Sequence, residues 1–479
     1  MSTTDLRIHA PAKPSSGELV LYWMQVTLRS TENFALNYAV ERANELRLPV
    51  LVYQGLRPDY PWASARLHTF ILESALDLRD DFASRGIQYV FHLDRNSPIP
   101  REDRTAETGR LRHDASPLIR LAERAALVVT DFYPTFIVPR QTLRLRRALA
   151  ERAIASPVVA VDSATVVPMA AFDRAYSTAR AFRPVLFAAL PHYLHPVPNP
   201  EPVVRRNIDP GFESALGPEI DHGHIARLVG LCPVDQSVPP ALEIRGGSRA
   251  ARNRLNRFLS SGLPRYSRNR NDPNEDATSG LSPYLHFGNI SPQEILLGAR
   301  ETGPEEEFGR FQDEMLTWRE LAHNFVYHDP RHRTVDAIPE WARKELSEHA
   351  ADPRPVLYSL EQLEHARTGD PLWNAAQTAY LRNGYMHNYL RMLWGKAVLQ
   401  WTPGYGEALH ILEHLNNKYS LDGRDANSYA GIMWIFGKFD RPFYRRPIYG
   451  LVRYQSLKAA AKKFNVTRYI ERQEIPSLL

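Results

Sequence analysis

Four tryptophans, one arginine at the edge of an apolar helix and a turn rich in Asp and Asn occur between Trp373 and Trp434, within about sixty residues. Six of the eight tryptophans of the chain lie after residue 317. Aromatic rings and charged groups are costly to bring together unless they pack against each other or face a flat, aromatic ligand. The cluster therefore predicts that the chemistry lies in the C-terminal half of the chain.

Arg391 lies at the edge of a stripe of apolar residues that repeats at helical spacing over 386–401. Its guanidinium is expected near the core, where it requires an anionic partner. Asp422 and Asp425 are the candidates, both in the turn LDGRDAN at 421–427. This turn resembles a calcium loop only superficially, because it lacks the register of oxygen ligands and the closing glutamate. We therefore expect no metal site.

Two pairs of residues have spacings that suit chemistry with aromatic groups. Trp394 and Trp401 lie two helical turns apart on one face, which suits core packing and equally a chain of redox-active rings. Glu314 and Trp318 are one turn apart, so a carboxyl could bind the edge of a nucleobase while the ring stacks on its plane. Taken alone, the second pair is more often an exposed acid above a core tryptophan.

Hydroxyl groups precede a predicted helix in the segment TSGLSPYLHFG. Thr278, Ser279 and Ser282 come before Pro283, the expected first residue of that helix. A helix N-terminus with free amide and hydroxyl donors is suited to phosphate. Ordinary helix capping is the alternative, although the nearby Tyr266 and an arginine-rich stretch favour a bound anionic cofactor.

Two arginine-rich segments favour contacts with nucleic-acid phosphates. The stretch 245–270 holds eight arginines and no acidic residue, and a solvated helix face is the alternative interpretation. The stretch 439–454 interleaves arginines with five aromatic residues, a combination that neutralises phosphates and stacks on bases. Its arginines are Arg441, Arg445, Arg446 and Arg453.

Five short apolar runs in the first third of the chain alternate with stretches of helical periodicity. Strand-length runs with helical connections predict an α/β N-terminal domain with a doubly wound, parallel, five-stranded sheet. No G-x-G-x-x-G turn follows the first run, so a dinucleotide bound in the usual Rossmann manner is not supported. The runs are 19–25, 49–55, 87–93, 126–132 and 156–162, and helices are predicted over 33–46 and 65–85.

Nearly every segment beyond residue 246 shows a helical period, which predicts an all-α C-terminal domain. The proline-rich stretch before it is typical of a linker, because proline removes backbone donors and disfavours helix at the preceding residue. The predicted organisation is a disordered tail at 1–18, an α/β domain at 19–189, a linker at 190–245 and a helical domain at 246–479.

The composition indicates a reducing, intracellular compartment. The single cysteine, Cys232, excludes an intramolecular disulfide and any iron-sulfur cluster that needs three or four thiolates from this chain. The first 18 residues lack the apolar core of a signal peptide, and no stretch approaches the roughly 20 apolar residues of a membrane span. We expect a monomeric, cytoplasmic protein with no membrane partner.

Several long motifs together resemble the class II cyclobutane pyrimidine dimer photolyases of the photolyase/cryptochrome family. They occur in the family's order and cover most of the chain. The motifs are YWMQ followed by Arg29 and NFAL, SGLSPYLHFGNISP, WRELAHNF, WNAAQ, GYMHNYLRMLWGKAVLQW and LNNKYSLDGRDANSYAGIMW. The run DANS departs from the family's D-P-N-G at Ala426 and Ser428, and GKFD stands in place of a G-x-H-D-like segment.

The resemblance implies an antenna-type α/β domain and a helical domain that binds FAD bent into a U. It also implies that fully reduced FAD, excited by blue or near-UV light, passes an electron to a pyrimidine dimer flipped out of UV-damaged DNA. Extrusion is physically reasonable because a dimer already stacks poorly and costs less to flip. The family's deazaflavin-type antenna chromophore is neither supported nor excluded by residues 19–170.

Roles for individual residues follow from the resemblance at matching positions. FAD would be bound by Tyr266, Thr278, Ser279, Leu281, Ser282, Arg391, Asp422, Asp425 and Asn427, with Asn416 near the flavin N5. The dimer pocket would be lined by Glu314, Trp318, Met392 and Trp434. DNA would contact Arg270, Arg441, Arg445 and Arg446, and electrons would reach the flavin through Trp373, Trp394 and Trp401.

Two other functions remain as alternatives. A cryptochrome-like blue-light photosensor would keep FAD and the tryptophans but needs no lesion pocket. A non-catalytic nucleic-acid-binding protein would use the arginines but would leave the flavin-site residues unexplained.

Overall fold

The computed structural model describes residues 5–95 and 116–474, and its N-terminal part is built on a six-stranded sheet. The spatial order of the strands is β1-β6-β5-β2-β3-β4, with β2 to β6 parallel and the two-residue β1 antiparallel to β6. The predicted five parallel strands are confirmed, and β1 is an addition. The strands are β1 Ile8–His9, β2 Leu19–Met24, β3 Val50–Leu56, β4 Gln88–Leu93, β5 Ala125–Phe132 and β6 Val158–Asp162.

Helices cover both faces of this sheet, as the doubly wound arrangement requires. Successive residues of β2 alternate between two cores: Val20 packs on the side of the first two helices, and Leu21 packs on the side of the third and fourth. The predicted helices are confirmed to within one residue, with Asn33 and Ser64 as their N-caps. The helices are α1 Phe34–Leu46, α2 Ala65–Ser84, α3 Pro117–Arg124, α4 Val138–Glu151 and α5 Ala179–Ala189.

The N-terminal segment differs from the disordered tail expected for residues 1–18. From Asp5 onward it is ordered, and the first four residues lie outside the described ranges. The buried guanidinium of Arg7 donates hydrogen bonds to the carbonyls of Thr165 and Val166 at 3.0 and 2.6 Å. A buried arginine held by backbone acceptors fixes the segment to the edge of the sheet.

The part of the chain after β6 is helical, which confirms the predicted fold class. The stretch 190–245 holds one short α-helix and irregular backbone; the domain boundaries themselves stay a prediction. The helices are α6 Ile225–Gly230, α7 Ser248–Arg257, α8 Tyr266–Asn269, α9 Ser282–His286, α10 Pro292–Thr302, α11 Glu305–Gln312, α12 Arg319–His328, α13 Glu340–Glu348, α14 Leu360–Glu364, α15 Pro371–Asn383, α16 Asn388–Gln400, α17 Tyr405–Tyr419, α18 Ala426–Ile435 and α19 Val466–Glu474.

A π-helical turn, Asp313–Trp318, separates α11 from α12 where the sequence predicts one regular helix. The wider turn changes the angle between Glu314 and Trp318 around the helix axis. Arg183 holds the first acid of the turn, Asp313, at 2.8 and 3.0 Å. Inserted π-turns are frequent at functional sites, and this one carries the predicted site residues Glu314 and Trp318.

One arginine of the α/β part reaches deep into the helical part. Arg66, on α2, donates hydrogen bonds to the carbonyls of Tyr380 and Tyr419 at 2.8 and 2.7 Å, and also to that of Leu381. These carbonyls lie in the last turns of α15 and α17, where regular intrahelical partners run out, although that of Tyr380 also accepts the N–H of Gly384 at 2.9 Å. Burial lowers the pKa of Arg66 to about 10, so the group remains charged at neutral pH. The two parts of the chain therefore share a helix-capping residue.

No helix within the described ranges has both the length and the apolar character that crossing a membrane requires.

Candidate functional site

Three of the C-terminal tryptophans form one continuous group of rings. Trp373, in α15, stacks on Trp394, in α16, with ring centroids 5.9 Å apart and planes 9° apart. On its other side the Trp373 ring meets Trp401 edge-on at 5.8 Å. All three side chains are buried. The predicted spacing along α16 thus places Trp401 next to Trp373, so that the rings run in the order Trp394, Trp373, Trp401.

Hydrogen bonds fix the two stacked rings. The indole N–H of Trp373 donates to the Trp394 carbonyl at 3.1 Å, and the indole N–H of Trp394 donates to the Gln377 side-chain oxygen at 3.1 Å. Gln377 is fully buried. The sequence motif WNAAQ contains Gln377, but the motif alone does not reveal that this side chain orients Trp394.

Arg391 and Asp422 form the buried ion pair at the centre of the site. A terminal guanidinium nitrogen of Arg391 lies 3.0 and 3.2 Å from the two Asp422 oxygens. Ser420 also donates a hydrogen bond to this carboxylate. Burial alone would raise the pKa of Asp422, but the Arg391 charge, together with a hydrogen bond from Ser282, holds it below its ordinary value. Of the two predicted partners, Asp422 is the one that contacts Arg391.

Two buried donors on the first turn of α16 have no hydrogen-bond partner among the described residues: Arg391 Nε and His387 Nε2. His387 Nδ1 accepts the N–H of Tyr389 at 3.3 Å, which leaves the proton on Nε2. Burial lowers the pKa of His387 to about 4, so the ring is neutral. Unpaired buried donors are costly. They fit an anionic ligand rich in acceptors, and sequence reasoning missed His387.

The segment 278–282 is held in place by Arg254. Its guanidinium donates to the carbonyls of Thr278 and Ser279, both at 2.6 Å, and is itself paired with Asp276. Gly280 has φ +61°, and a Cβ there would lie 2.7 Å from Arg254 Nε, so this position requires glycine. The two predicted hydroxyl residues are therefore presented by a rigid turn.

The helix after this turn differs from the prediction by one residue. α9 begins at Ser282, with the buried Leu281 as its N-cap, so Pro283 is its second residue. α9 is only five residues long. Its first hydroxyl, Ser282, hydrogen-bonds to Asp422. The turn therefore contributes to the site through side chains and backbone geometry more than through a helix dipole.

Asp425 serves a different contact from Asp422. Its carboxylate accepts the hydroxyl of Tyr133 at 2.6 Å and lies 3.1 Å from Nδ1 of His286. It also caps α18 by accepting the N–H of Asn427 at 2.7 Å. Burial opposes ionisation, but His286 and these donors hold the pKa of Asp425 far below its ordinary value. Asp425 thus joins α18 to the α/β part and does not contact Arg391.

The two departures from the family motif fit the local structure. The Ser428 hydroxyl donates to the Asp422 carbonyl at 2.7 Å, and Ala426 is fully buried. Asn416 lies nearby on α17, where it is buried and its amide contacts the Asn417 side chain at 3.2 Å. Ser428 therefore adds a hydrogen bond to the turn that carries Asp422.

Glu314 lines an open cleft of about 520 Å³ together with Arg183 and Phe187 of α5, Arg270 at the end of α8, and residues of α11 and the π-turn. The Glu314 carboxylate accepts a hydrogen bond from Arg270, whose guanidinium lies over the Tyr266 ring at 5.7 Å. Trp318 is 37 % exposed, unlike the other tryptophans of this half. An acid and an accessible aromatic ring thus lie on one helical segment, as predicted.

Trp434, on the last turn of α18, has two cations near its ring. The Lys396 ammonium is 4.9 Å from the centroid of its ring, and the Arg453 guanidinium is 5.6 Å from it. Met392, one turn earlier than Lys396 on α16, is partly buried, as is Trp434. Sequence reasoning named Trp434 and Met392 but missed Lys396, which is fully buried.

The two arginine-rich segments behave differently. Several arginines of 245–270 pair with acids of the protein itself, as in Arg252 with Glu294 and Arg265 with Glu275 at 3.0 and 2.8 Å. These pairs compete with the predicted phosphate contacts. In 439–454 Arg445 pairs with Glu345, whereas the residues around a second cleft of about 320 Å³ combine cations with aromatic rings. They are Phe443, Tyr444, Arg446, Arg453, Tyr454 and Gln455, and Arg441 lies over the ring of Phe443.

Comparison with known proteins places these features in one family. Residues 20–201 match the family model described as DNA photolyase. A deoxyribodipyrimidine photo-lyase of Methanothermobacter thermautotrophicus is 36% identical over 460 residues, which cover 95% of this chain and 94% of that protein.

Solved structures share the fold. An archaeal photolyase from Sulfolobus tokodaii, solved with two FAD molecules, superposes with a TM-score of 0.61 at 17% identity, covering 96% of this chain and 95% of the other. A Synechocystis cryptochrome gives 0.64 at 16% identity, covering 98% and 90%. At this level of identity the two structures show a common architecture, and the residues of the site must carry any functional argument.

Proposed function

Because this chain belongs to the DNA photolyase family, we propose that it is a deoxyribodipyrimidine photo-lyase that uses light to split cyclobutane pyrimidine dimers in UV-damaged DNA. We assign it to class II of the family because its sequence motifs resemble those of the class II photolyases. The observation that carries the proposal is the arrangement of α16. This one helix joins the unpaired donors His387 and Arg391, the side chain of Met392 and the ring of Trp394.

FAD is the proposed cofactor, and the chemistry of the donor set supports it. When bound, reduced FAD supplies the light-driven electron for the reaction. Arg391 and His387 provide buried N–H groups for its acceptor atoms, while Asp422 neutralises Arg391 and keeps it in place. The turn at 278–282 offers hydroxyls held by Arg254. The side chains that make these contacts keep the same charge when the cofactor binds at neutral pH.

The dimer is proposed to bind between the acid and the tryptophans. Trp318 and Trp434 provide stacking surfaces, and Glu314 provides a carboxylate for the polar edge of the bases. Arg270 holds that carboxylate, so its orientation is fixed before the dimer enters. A fixed charge or hydrogen-bonding group stabilises developing charge better than a mobile one. Arg441 and Arg446 lie on the aromatic-basic surface that would contact the DNA backbone.

The proposal extends to the oligomeric state, the place of action and the positions of the two chromophores. The protein acts as a monomer inside the cell, where it meets chromosomal DNA, and carries its cofactor in the helical domain at 246–479. The α/β domain at 19–189 is the proposed location of an antenna chromophore of the deazaflavin type.

The proposal is tested with purified protein that has been photoreduced and mixed with an oligonucleotide carrying a cyclobutane thymine dimer. We expect illumination to restore absorbance near the thymine maximum, with no recovery in darkness or with a (6-4) lesion. A protein that binds reducible FAD but restores no absorbance would instead be a cryptochrome-like photosensor. A protein that binds DNA and no FAD would be the non-catalytic binder.

Replacing Glu314 with glutamine is expected to lower the repair yield per absorbed photon several-fold while leaving the FAD content unchanged. The amide keeps the shape of the side chain but loses the charge that Arg270 holds in place. Asp313→Asn is the matched control, since Asp313 lies on the same π-turn and is paired with Arg183 outside the proposed contact. Equal yields for the wild type and the Glu314 variant would remove the assigned role.

A further inference from the structure

Lys396 is a buried lysine that belongs neither to the proposed cofactor site nor to the group of rings Trp394, Trp373 and Trp401, which we call the tryptophan array. Its residue is fully buried on α16, and its ammonium donates to the Ile435 carbonyl at 2.7 Å. That carbonyl belongs to the last residue of α18, where intrahelical acceptors are unsatisfied and a cation is favourable. The ammonium also lies 4.9 Å from the centroid of Trp434. The approach is close because Gly395 has no Cβ, which would lie 2.8 Å from Ile435.

A second cation lies over the same ring. The Arg453 guanidinium is 5.6 Å from the Trp434 centroid and is fixed by two hydrogen bonds to Asp440, both of 2.8 Å. Trp434 therefore has two cations near its ring, one buried and one partly exposed.

The electron-carrying tryptophans have different neighbours. Within the described ranges, the ring neighbours of Trp373, Trp394 and Trp401 are aromatic side chains, including Tyr358 and Tyr380. A positive charge close to an indole opposes removal of an electron from it, whereas an aromatic neighbour does not. The surroundings thus distinguish Trp434, which has two cations near its ring, from Trp373, Trp394 and Trp401, whose ring neighbours are aromatic.

We propose that Lys396 is a positioning residue that, together with Arg453, holds Trp434 as a rigid stacking surface and makes this ring harder to oxidise than the tryptophans of the array. The inference rests on the proposed function, in which Trp434 faces the lesion. A lesion-binding ring that gave up electrons as easily as the array would compete with it and would be damaged by the light that drives repair. Lys396 prevents this competition.

The charge on Lys396 depends on pH. Burial lowers its pKa to about 7, opposed by Asp440 and assisted by Arg453. Tyr449 also contacts this residue: its hydroxyl donates to the Lys396 carbonyl at 2.7 Å and stays protonated at neutral pH because burial raises its pKa. The ammonium is therefore present below about pH 7 and is lost as the pH rises through it. Protection of Trp434 should weaken in the same direction.

The test uses the full chain without added cofactor and a soluble one-electron photo-oxidant, which removes one electron from an indole and is itself reduced. Oxidation at Trp434 is measured by peptide mass spectrometry as a ratio to oxidation at Trp318, an internal reference for oxidant dose. We expect Lys396→Met to raise the ratio several-fold at pH 6. Wild-type protein should show a rise in the ratio from pH 6 to pH 8 that the variant lacks.

Lys438→Met is the matched control. Lys438 is less buried than Lys396 but makes the same kinds of contact: it donates to a backbone carbonyl, that of Ala337, at 3.2 Å, and its ammonium lies 4.3 Å from the centroid of an aromatic ring, that of Phe325. Its replacement should leave the Trp434 ratio unchanged. The proposal is overturned if the Trp434 to Trp318 oxidation ratio changes neither with Lys396→Met nor with pH. It is also overturned if both lysine variants change the ratio equally. If the Lys396 variant fails to fold, the wild-type pH profile decides. Repair is measured separately, so failure of the proposed function would not be confused with failure of this inference.

Discussion

Replacing Asp422 with alanine is expected to abolish stable FAD binding and to lower the free energy of unfolding by about 3–5 kcal/mol, the usual cost of leaving one buried charge of an ion pair without its partner. Arg391 would lose both of its contacts to the Asp422 oxygens, at 3.0 and 3.2 Å. Its Nε already lacks a partner among the described residues. The guanidinium would therefore be free to leave the position in which it is proposed to meet the cofactor.

The measurements are the FAD content after purification and the midpoint of urea unfolding. Asp422→Asn is the informative comparison, because it keeps the size of the side chain and an acceptor for Ser420 while removing the charge. It should retain part of the stability and little of the FAD. Ser428→Ala, which removes only the hydroxyl that contacts the Asp422 carbonyl, should retain both. Full FAD content in the alanine variant would show that Arg391 does not need Asp422.

Replacing Trp394 with phenylalanine is expected to slow photoreduction of oxidised FAD by an order of magnitude or more, while repair by chemically reduced enzyme stays near the wild-type level. Phenylalanine fills most of the space but is much harder to oxidise, and it cannot donate to Gln377. The stack with Trp373, with planes 9° apart, would no longer pass electrons from the interior of the array.

Two assays on the same preparation separate the roles: the rate of flavin bleaching under blue light with an external thiol, and repair after reduction with dithionite in the dark. Trp341→Phe is a suitable control, since Trp341 is partly buried and packs on the same core outside the array. Equal losses in both assays for the Trp394 variant would contradict an electron-carrying role and would point to general damage of the fold.

The regular elements of the chain could be predicted because their signals are local. Three of the five parallel strands, β2, β5 and β6, are almost entirely buried, and all five contain short, mostly apolar runs. The starts of α1 and α2 are marked by the side chains of Asn33 and Ser64, which accept backbone N–H groups within the same turn. Fold class therefore followed from periodicity, and the family from the motifs.

Other features depend on partners far along the chain, and no local pattern reveals them. Arg7 orders the N-terminal segment by binding carbonyls near residue 165. The choice between Asp422 and Asp425 follows from distant partners: Arg391 contacts Asp422, whereas Tyr133 and His286 contact Asp425. His387 could have been singled out as a polar residue just before an apolar helix, but its missing partner is visible only in three dimensions.

Arg66 gives the α/β half a role beyond any chromophore it carries. Three carbonyls in the last turns of two helices accept hydrogen bonds from this one side chain, and those helices carry Trp373 and Asn416. Separating the two halves would leave these carbonyls without the Arg66 donor, so the packing of the halves against each other contributes to the positions of Trp373 and Asn416.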